Sequence, residues 1–229
     1  MERTTEEPGG GALLITGASS GIGEATARLA AKCGWRVALA ARSADRLGEL
    51  AEELGGADRA LAVPCDVTDE AAQRAMLEEA EKAFGRIDAV LVNAGRGVTD
   101  NDPEDWRGMI ELNVFGAVLT AKLSQPALER SGGHLVILGS AAGRRPIPGS
   151  VYGATKWAMT GLGYNMREAL KDKGVRVTLI EPGMVDTPFF DEPKPDAMKA
   201  EDVAEAILFA LRMPARVNVN EIWMMPREG

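Results

Sequence analysis

Short apolar runs alternate with longer helical stretches along the whole chain. Ala12 to Thr16, Val37 to Ala40, Leu61 to Val63, Ala89 to Val92, His134 to Leu138, Val175 to Ile180 and Val217 to Trp223 read as strands. Between them lie an alanine-rich helix ending about Cys33, then helices over Ala44–Leu54, Glu70–Phe84, Pro103–Arg130 (with room for a bend), Tyr152–Lys171 and Glu201–Leu211. Strands this short and this apolar belong to a parallel sheet covered on both faces. Right-handed crossovers then give a doubly wound α/β fold.

No low-complexity linker interrupts the series, so residues 11–229 read as a single domain. Residues 1–10 read as a mobile amino-terminal tail hinged at Pro8-Gly9-Gly10-Gly11. One long irregular segment, about 183–200, follows a strand end, where a substrate loop or an ordinary surface loop would sit.

Composition narrows the classes. The 229 residues are 45% hydrophobic and 26% charged, the balance of a water-soluble domain large enough to bury a core without staples. A net charge of −8 repels phosphate backbones, which argues against nucleic acid as a partner. Cys33 and Cys65 form no CxxC and neighbour no histidine cluster, so no metal site is expected. Free thiols, an acidic first segment without a signal-type apolar run and no stretch of membrane-span length read as a cytoplasmic protein with no membrane partner.

Candidate chemistry begins at Gly17, Ser19, Ser20, Gly21, Ile22 and Gly23, within Thr16-Gly17-Ala18-Ser19-Ser20-Gly21-Ile22-Gly23. The glycine spacing permits a sharp strand-to-helix turn that aims backbone N–H groups and the positive helix end at one point, where a pyrophosphate fits. Glycine turns are common. This one gains weight by joining the first strand to the first helix of a βαβ series. The next strand ends in Ala41-Arg42, and a guanidinium there grips a 2′-phosphate through two hydrogen bonds, which favours NADP(H) over NAD(H). After the third strand, Asp66 can accept from an adenine amino group while Val67 packs on the ring; Thr68 or Asp69 is better placed to cap the next helix.

Three later features lie at strand ends or on the helices that follow. Tyr152 and Lys156 stand four apart on one helix face. A tyrosine with a pKa near ~10 is a poor base, and a nearby ammonium favours its phenolate. Lys156 can also hold the nicotinamide ribose. Ser140 can orient a substrate oxygen against Tyr152. Asn113 sits in a helix interior, where its side chain could fix a water linking Lys156 to solvent. The lone histidine, His134, reads as a half-exposed residue at a strand entrance.

Taken together, TGASSGIG at 16–23, CDVTD at 65–69, VNAG at 92–95, LNVFG at 112–116, GSAAG at 139–143, YGATK at 152–156 and EPGMVDTP at 181–188 resemble the short-chain dehydrogenase/reductase family. The resemblance covers about residues 12–225. It implies a Rossmann-type parallel sheet of seven strands in the order 3-2-1-4-5-6-7, with helices on both faces. It implies a catalytic tetrad of Asn113, Ser140, Tyr152 and Lys156. Asn93, Ala94 and Gly95 would lie beside the adenosine. Pro182, Gly183, Val185 and Thr187 would run along the nicotinamide. Arg42 stands where NADP-preferring members carry arginine, and helix pairing across a twofold axis implies a homodimer or homotetramer. Two departures stand out: Val92 replaces a usual asparagine, and the 183–200 segment is short, which leaves the substrate pocket undefined. The carboxy-terminal end is locally similar to the branch acting on 3-hydroxy acids.

The expected function is reversible NADP(H)-dependent hydride transfer between nicotinamide and a small alcohol or carbonyl. The competing reading is a catalytically silent NADP(H)-binding redox sensor, for which a complete tetrad has no use.

Overall fold

Among the residues described by the computed structural model (11–97, 101–190 and 192–227), seven strands form one parallel sheet. They are β1 (Ala12–Thr16), β2 (Arg36–Ala41), β3 (Ala60–Pro64), β4 (Ala89–Val92), β5 (His134–Leu138), β6 (Arg176–Pro182) and β9 (Glu221–Met224), in the order β3-β2-β1-β4-β5-β6-β9. This is the expected order. The final strand takes the number nine because the 183–200 segment forms a small parallel pair of its own, β7 (Val185–Asp186) with β8 (Met198–Lys199). The amino-terminal tail lies outside the described residues.

Successive strand residues point to opposite faces, and both faces are apolar. Leu14, Val90, Leu135 and Val177 belong to one core, covered by α3 (Glu70–Phe84), α5 (Ala117–Leu123), α6 (Gln125–Ser131) and α7 (Val151–Leu170). Leu13, Leu39, Leu91 and Val136 belong to the other, beneath α1 (Gly21–Lys32), α2 (Ala44–Glu53) and α8 (Ala200–Arg212). Each fully buried leucine or isoleucine contributes about 1.5–3 kcal/mol. The sheet is thereby a stiff base, and its strand ends are fixed points for side chains.

Three expectations need correction. The helix read over 103–130 is broken into α4 (Pro103–Ile110), a π-helical turn at Glu111–Gly116, α5 and α6. The Gly116 carbonyl accepts side-chain bonds from Gln73 and Thr120, and Pro126 stands at the start of α6. The last strand begins at Glu221 rather than Val217, because the Asn218 side chain occupies the place beside Val177, accepting from its N–H (2.8 Å) and donating to its carbonyl (3.0 Å). His134 is not half-exposed. It is 1% accessible, flanked by Ala89 and Arg176 in the sheet, with Nε2 2.7 Å from the Thr178 hydroxyl. Burial pushes its pKa down to about 3, with Arg176 adding to the shift.

Candidate active site

The carboxy-terminal ends of the strands and the starts of the following helices open into one cleft of about 570 Å³. Its floor is the β1–α1 turn. Gly17 has φ +68°, and a Cβ there would lie 2.8 Å from the Asn93 side chain, so this position requires glycine. At Gly23 a Cβ would lie 2.3 Å from the Gly17 carbonyl oxygen, so the helix rests directly on the turn. The Asn93 amide fastens the turn from beneath, donating to the Thr16 and Gly17 carbonyls at 2.8 and 3.1 Å. Gly23 is therefore a packing residue and does not line the cleft, whereas Gly17, Ser19, Ser20, Gly21 and Ile22 do.

Ser20 caps α1 by position, but its side chain makes no capping bond. Ser43, at the start of α2 and also in the cleft wall, makes none either. Both helices thus present first-turn N–H groups that no side chain claims. A tight glycine turn flanked by two helix starts with such donors fits the phosphates of a dinucleotide.

At the outer end lie exposed Arg42 and Asp66 beside buried Ala41 and Val67, with Asn93, Ala94 and Gly95 on the adjoining wall. Asp66 accepts from the Thr68 N–H (2.9 Å) and hydroxyl (2.7 Å). Those bonds, with Arg42 nearby, hold its carboxyl below the usual range. Asp69 caps α3, accepting from Ala71 and Ala72.

At the inner end Ser140, Tyr152 and Lys156 line the same cleft. The Ser150 hydroxyl caps α7 on the Gly153 N–H at 2.9 Å, and Tyr152 and Lys156 follow one turn apart. Lys156 is 8% accessible, with Nζ 3.5 Å from the Leu138 carbonyl and 5.7 Å from the Tyr152 ring centroid. Burial lowers its pKa to about 8. Burial raises the Tyr152 phenol, and a hydrogen bond with Ser140 opposes that rise. The depression of the phenol expected from the sequence is therefore not produced by these side chains alone. Ser140 Oγ accepts from the Ala142 N–H at 3.1 Å and faces the Pro182 carbonyl at 3.5 Å.

Asn113 is buried behind this wall rather than in it. Its Oδ1 accepts from the Arg96 N–H at 2.9 Å, and its Nδ2 donates to the Arg96 carbonyl (2.9 Å) and the Thr155 hydroxyl (3.2 Å). The side chain is thus bonded to protein groups through both of its polar atoms. Thr155 in turn donates to the Tyr152 carbonyl at 2.7 Å, so Asn113 braces the tyrosine turn.

The short chain dehydrogenase family model matches residues 12–197. The chain belongs to the short-chain dehydrogenase/reductase family. Sulfoacetaldehyde reductase 2 of Chromohalobacter salexigens is 41% identical, with 93% of each chain covered. An alcohol dehydrogenase of the archaeon Thermococcus sibiricus, solved with 5-hydroxy-NADP, superimposes with a TM-score of 0.88 at 33% identity, covering 96% of this chain and 98% of that one. Serine dehydrogenase of Escherichia coli gives 0.84 at 35% identity, covering 93% and 96%. This short-chain dehydrogenase/reductase is accordingly an oxidoreductase of a family that uses nicotinamide cofactors on small molecules.

The wall formed by the 183–200 segment is more defined than the sequence implied. Pro182, Gly183, Val185 and Thr187 line the cleft, and the β7–β8 pair pins the loop that carries them. Phe189 tilts against Tyr152 with ring centroids 5.5 Å apart, and Phe190 packs edge-on to Phe189 at 5.1 Å. Sequence reasoning missed Ser43, Arg96, Gly97, Phe189 and Phe190 as lining residues. Ser43 was findable as a helix-start serine beside Arg42. The phenylalanines carried no signal beyond being aromatic in a loop. Cys65 also lines the cleft, but burial and the neighbouring Asp66 and Asp69 push its thiol up to about 11, far from a reactive thiolate. Among the described residues no group of His, Cys, Asp and Glu is arranged to hold a metal, and no helix is long and apolar enough to cross a membrane.

Proposed function

We propose that this protein is an NADP(H)-dependent dehydrogenase/reductase that interconverts a small polar alcohol and its carbonyl. One observation carries the reading. Ser140, Tyr152 and Lys156 share a single cleft with the glycine turn, the unclaimed starts of α1 and α2, and Arg42. When bound, the nicotinamide supplies or accepts the hydride at the substrate carbon.

The remaining chemistry belongs to side chains. In the reductive direction Tyr152, whose phenol burial keeps protonated, gives its proton to the carbonyl oxygen as general acid. Ser140 donates a hydrogen bond to that oxygen and fixes its direction. In the oxidative direction the phenolate must form, and the Lys156 ammonium, 5.7 Å from the Tyr152 ring centroid, favours it. With a pKa of about 8, Lys156 is charged at neutral pH and can release a proton just above it. Asn113 holds Tyr152 in place through Thr155.

For the cofactor choice, Arg42 and the open start of α2 at Ser43 would together hold a 2′-phosphate, a charge-assisted contact that NAD(H) cannot make. Two of the similar proteins, a sulfoacetaldehyde reductase and a serine dehydrogenase, favour a small polar substrate. Large apolar side chains exposed on neighbouring helices, Ile110, Phe115 and Trp157, support a homodimer or homotetramer. The test is a panel of aldehydes, ketones and hydroxy acids with NADP(H) and NAD(H), followed by nicotinamide absorbance. Turnover with NADP(H) exceeding that with NAD(H) is expected. No turnover across the panel, with NADPH bound, would favour the sensor.

A further inference from the structure

Behind the reacting end lies a polar knot that the mechanism does not use. Glu181 is 0% accessible, at the penultimate position of β6. A carboxylate that deep must be matched on both oxygens. Its Oε2 accepts from Arg144 Nε at 2.6 Å, and its Oε1 accepts from the Thr160 hydroxyl at 2.8 Å. Burial raises the Glu181 carboxyl, and these two bonds hold it back. The Thr160 hydroxyl has two other acceptors within reach, the carbonyls of Gly143 (3.2 Å) and Lys156 (3.3 Å). It owns one proton, and the shorter, charge-assisted contact to Glu181 claims it. On its outer side Arg144 pairs with Glu221 on β9 and lies 5.4 Å over the Tyr164 ring.

The attachment points of this knot are specific. Glu181 immediately precedes Pro182 and Gly183, which line the nicotinamide-side wall. Arg144 immediately follows the short 3₁₀ turn at Ala141–Gly143 that starts from Ser140. Thr160 stands one helical turn after Lys156 on α7. The packing between them is close. A Cβ at Gly139 would meet Glu181 Cγ at 3.0 Å, and one at Gly143 would meet the Lys156 carbonyl oxygen at 2.5 Å. The three backbone segments that carry Ser140, Tyr152–Lys156 and Pro182–Gly183 therefore converge on one carboxylate.

We infer that Arg144, Glu181 and Thr160 are positioning residues that set the Ser140 hydroxyl against Tyr152 and the Pro182 carbonyl. This rests on the proposed reaction. A buried ion pair adds little stability over a well-packed apolar substitute, so its retention fits a role in geometry. A displacement of a reacting group by about 1 Å costs up to about a hundredfold in rate.

The test is a double-mutant cycle with the full-length enzyme, its NADPH and the best carbonyl substrate from the panel. Arg144→Met should lower kcat by about tenfold to a hundredfold while the NADPH dissociation constant stays within about twofold. Arg144→Lys should recover part of the loss. Placed in the Ser140→Ala background, Arg144→Met should cost less than about threefold more, because the hydroxyl it positions is already gone. Should Arg144→Met fail to fold, Thr160→Val runs the same cycle, since it removes one hydrogen bond and no charge. A kcat within about twofold of wild type, or losses that multiply fully with Ser140→Ala, would overturn the inference. Wild-type turnover, measured first, separates this outcome from failure of the proposed reaction itself.

Discussion

The two ends of the cleft hold their groups in opposite ways. At the end proposed for the nucleotide the donors are main-chain N–H groups at two helix starts, and Arg42 is exposed. Ser20 and Ser43 stand at the starts of α1 and α2 without capping them. At the end proposed for the reaction the groups are side chains, Lys156 buried and Ser140 and Tyr152 half-buried, and burial shifts Lys156 down and Tyr152 up. There the helix start is closed, with Ser150 capping α7 as Asp69 and Asp102 cap α3 and α4. Among the described residues serine closes α7, and it leaves α1 and α2, whose starts line the cleft, without a side-chain cap; Ser124, at the start of α6 away from the cleft, makes none either.

This contrast predicts separable damage. The largest effect on binding should come from Gly23→Ala. Its Cβ would sit 2.3 Å from the Gly17 oxygen and 2.7 Å from the Asn93 amide, neither of which can yield cheaply. About 1–3 kcal/mol of stability should be lost, measured by denaturant unfolding, and NADPH binding with it. Unchanged binding would mean that the turn is not the cradle.

Next is Arg42→Asp. Loss of a charge-assisted contact, worth about 1.5–3 kcal/mol, should weaken NADPH by about tenfold or more and leave NADH nearly unaffected. Titration of both cofactors decides it, and equal losses would remove Arg42 from the site.

A pH effect on stability alone belongs to the buried half. The folded His134 pKa of about 3 lies below the ordinary value of 6.5. Above pH 6.5 folded and unfolded forms are both neutral there, and nothing is linked. As pH falls from 6.5 toward 3 the unfolded chain takes up a proton that the folded one refuses. Stability should then drop by about 1.4 kcal/mol per pH unit from this residue. His134→Gln should flatten that slope in chemical denaturation across the range. A slope identical to wild type would contradict the burial argument.

The smallest effect sharpens the comparison itself. Asp69→Ala should cost about 1 kcal/mol as a lost cap, whereas Ser43→Ala should change stability by less than about 0.5 kcal/mol. Equal costs would mean that Ser43 is an ordinary cap.

How much of this was legible in the chain follows from how local each feature is. The run Asp69 to Phe84 announces cap and helix by its own chemistry, and the structure has both. The glycine spacing at 17–23 specifies a turn without reference to anything distant. The fastening of that turn by Asn93, 77 residues after Thr16, depends on β1 and β4 being neighbours, which no local pattern states. His134 was misread for the same reason: its burial comes from strands on either side, not from Gly132-Gly133 before it. The break at 111–116 arises where the Gly116 carbonyl is drawn to Gln73, a contact between helices far apart in sequence. Asn113 stands out in the sequence as an asparagine inside a helix, but its partners on Arg96 and Thr155 depend on the loop and α7 being brought together.

The most direct measurement is Tyr152→Phe, with NADPH affinity by titration and turnover by nicotinamide absorbance on the same preparation. The account predicts affinity within about twofold of wild type and turnover lower by about 10²–10⁴. A phenylalanine variant that turns over like the wild type would place the proton donor elsewhere and contradict the division of the cleft into a binding end and a reacting end.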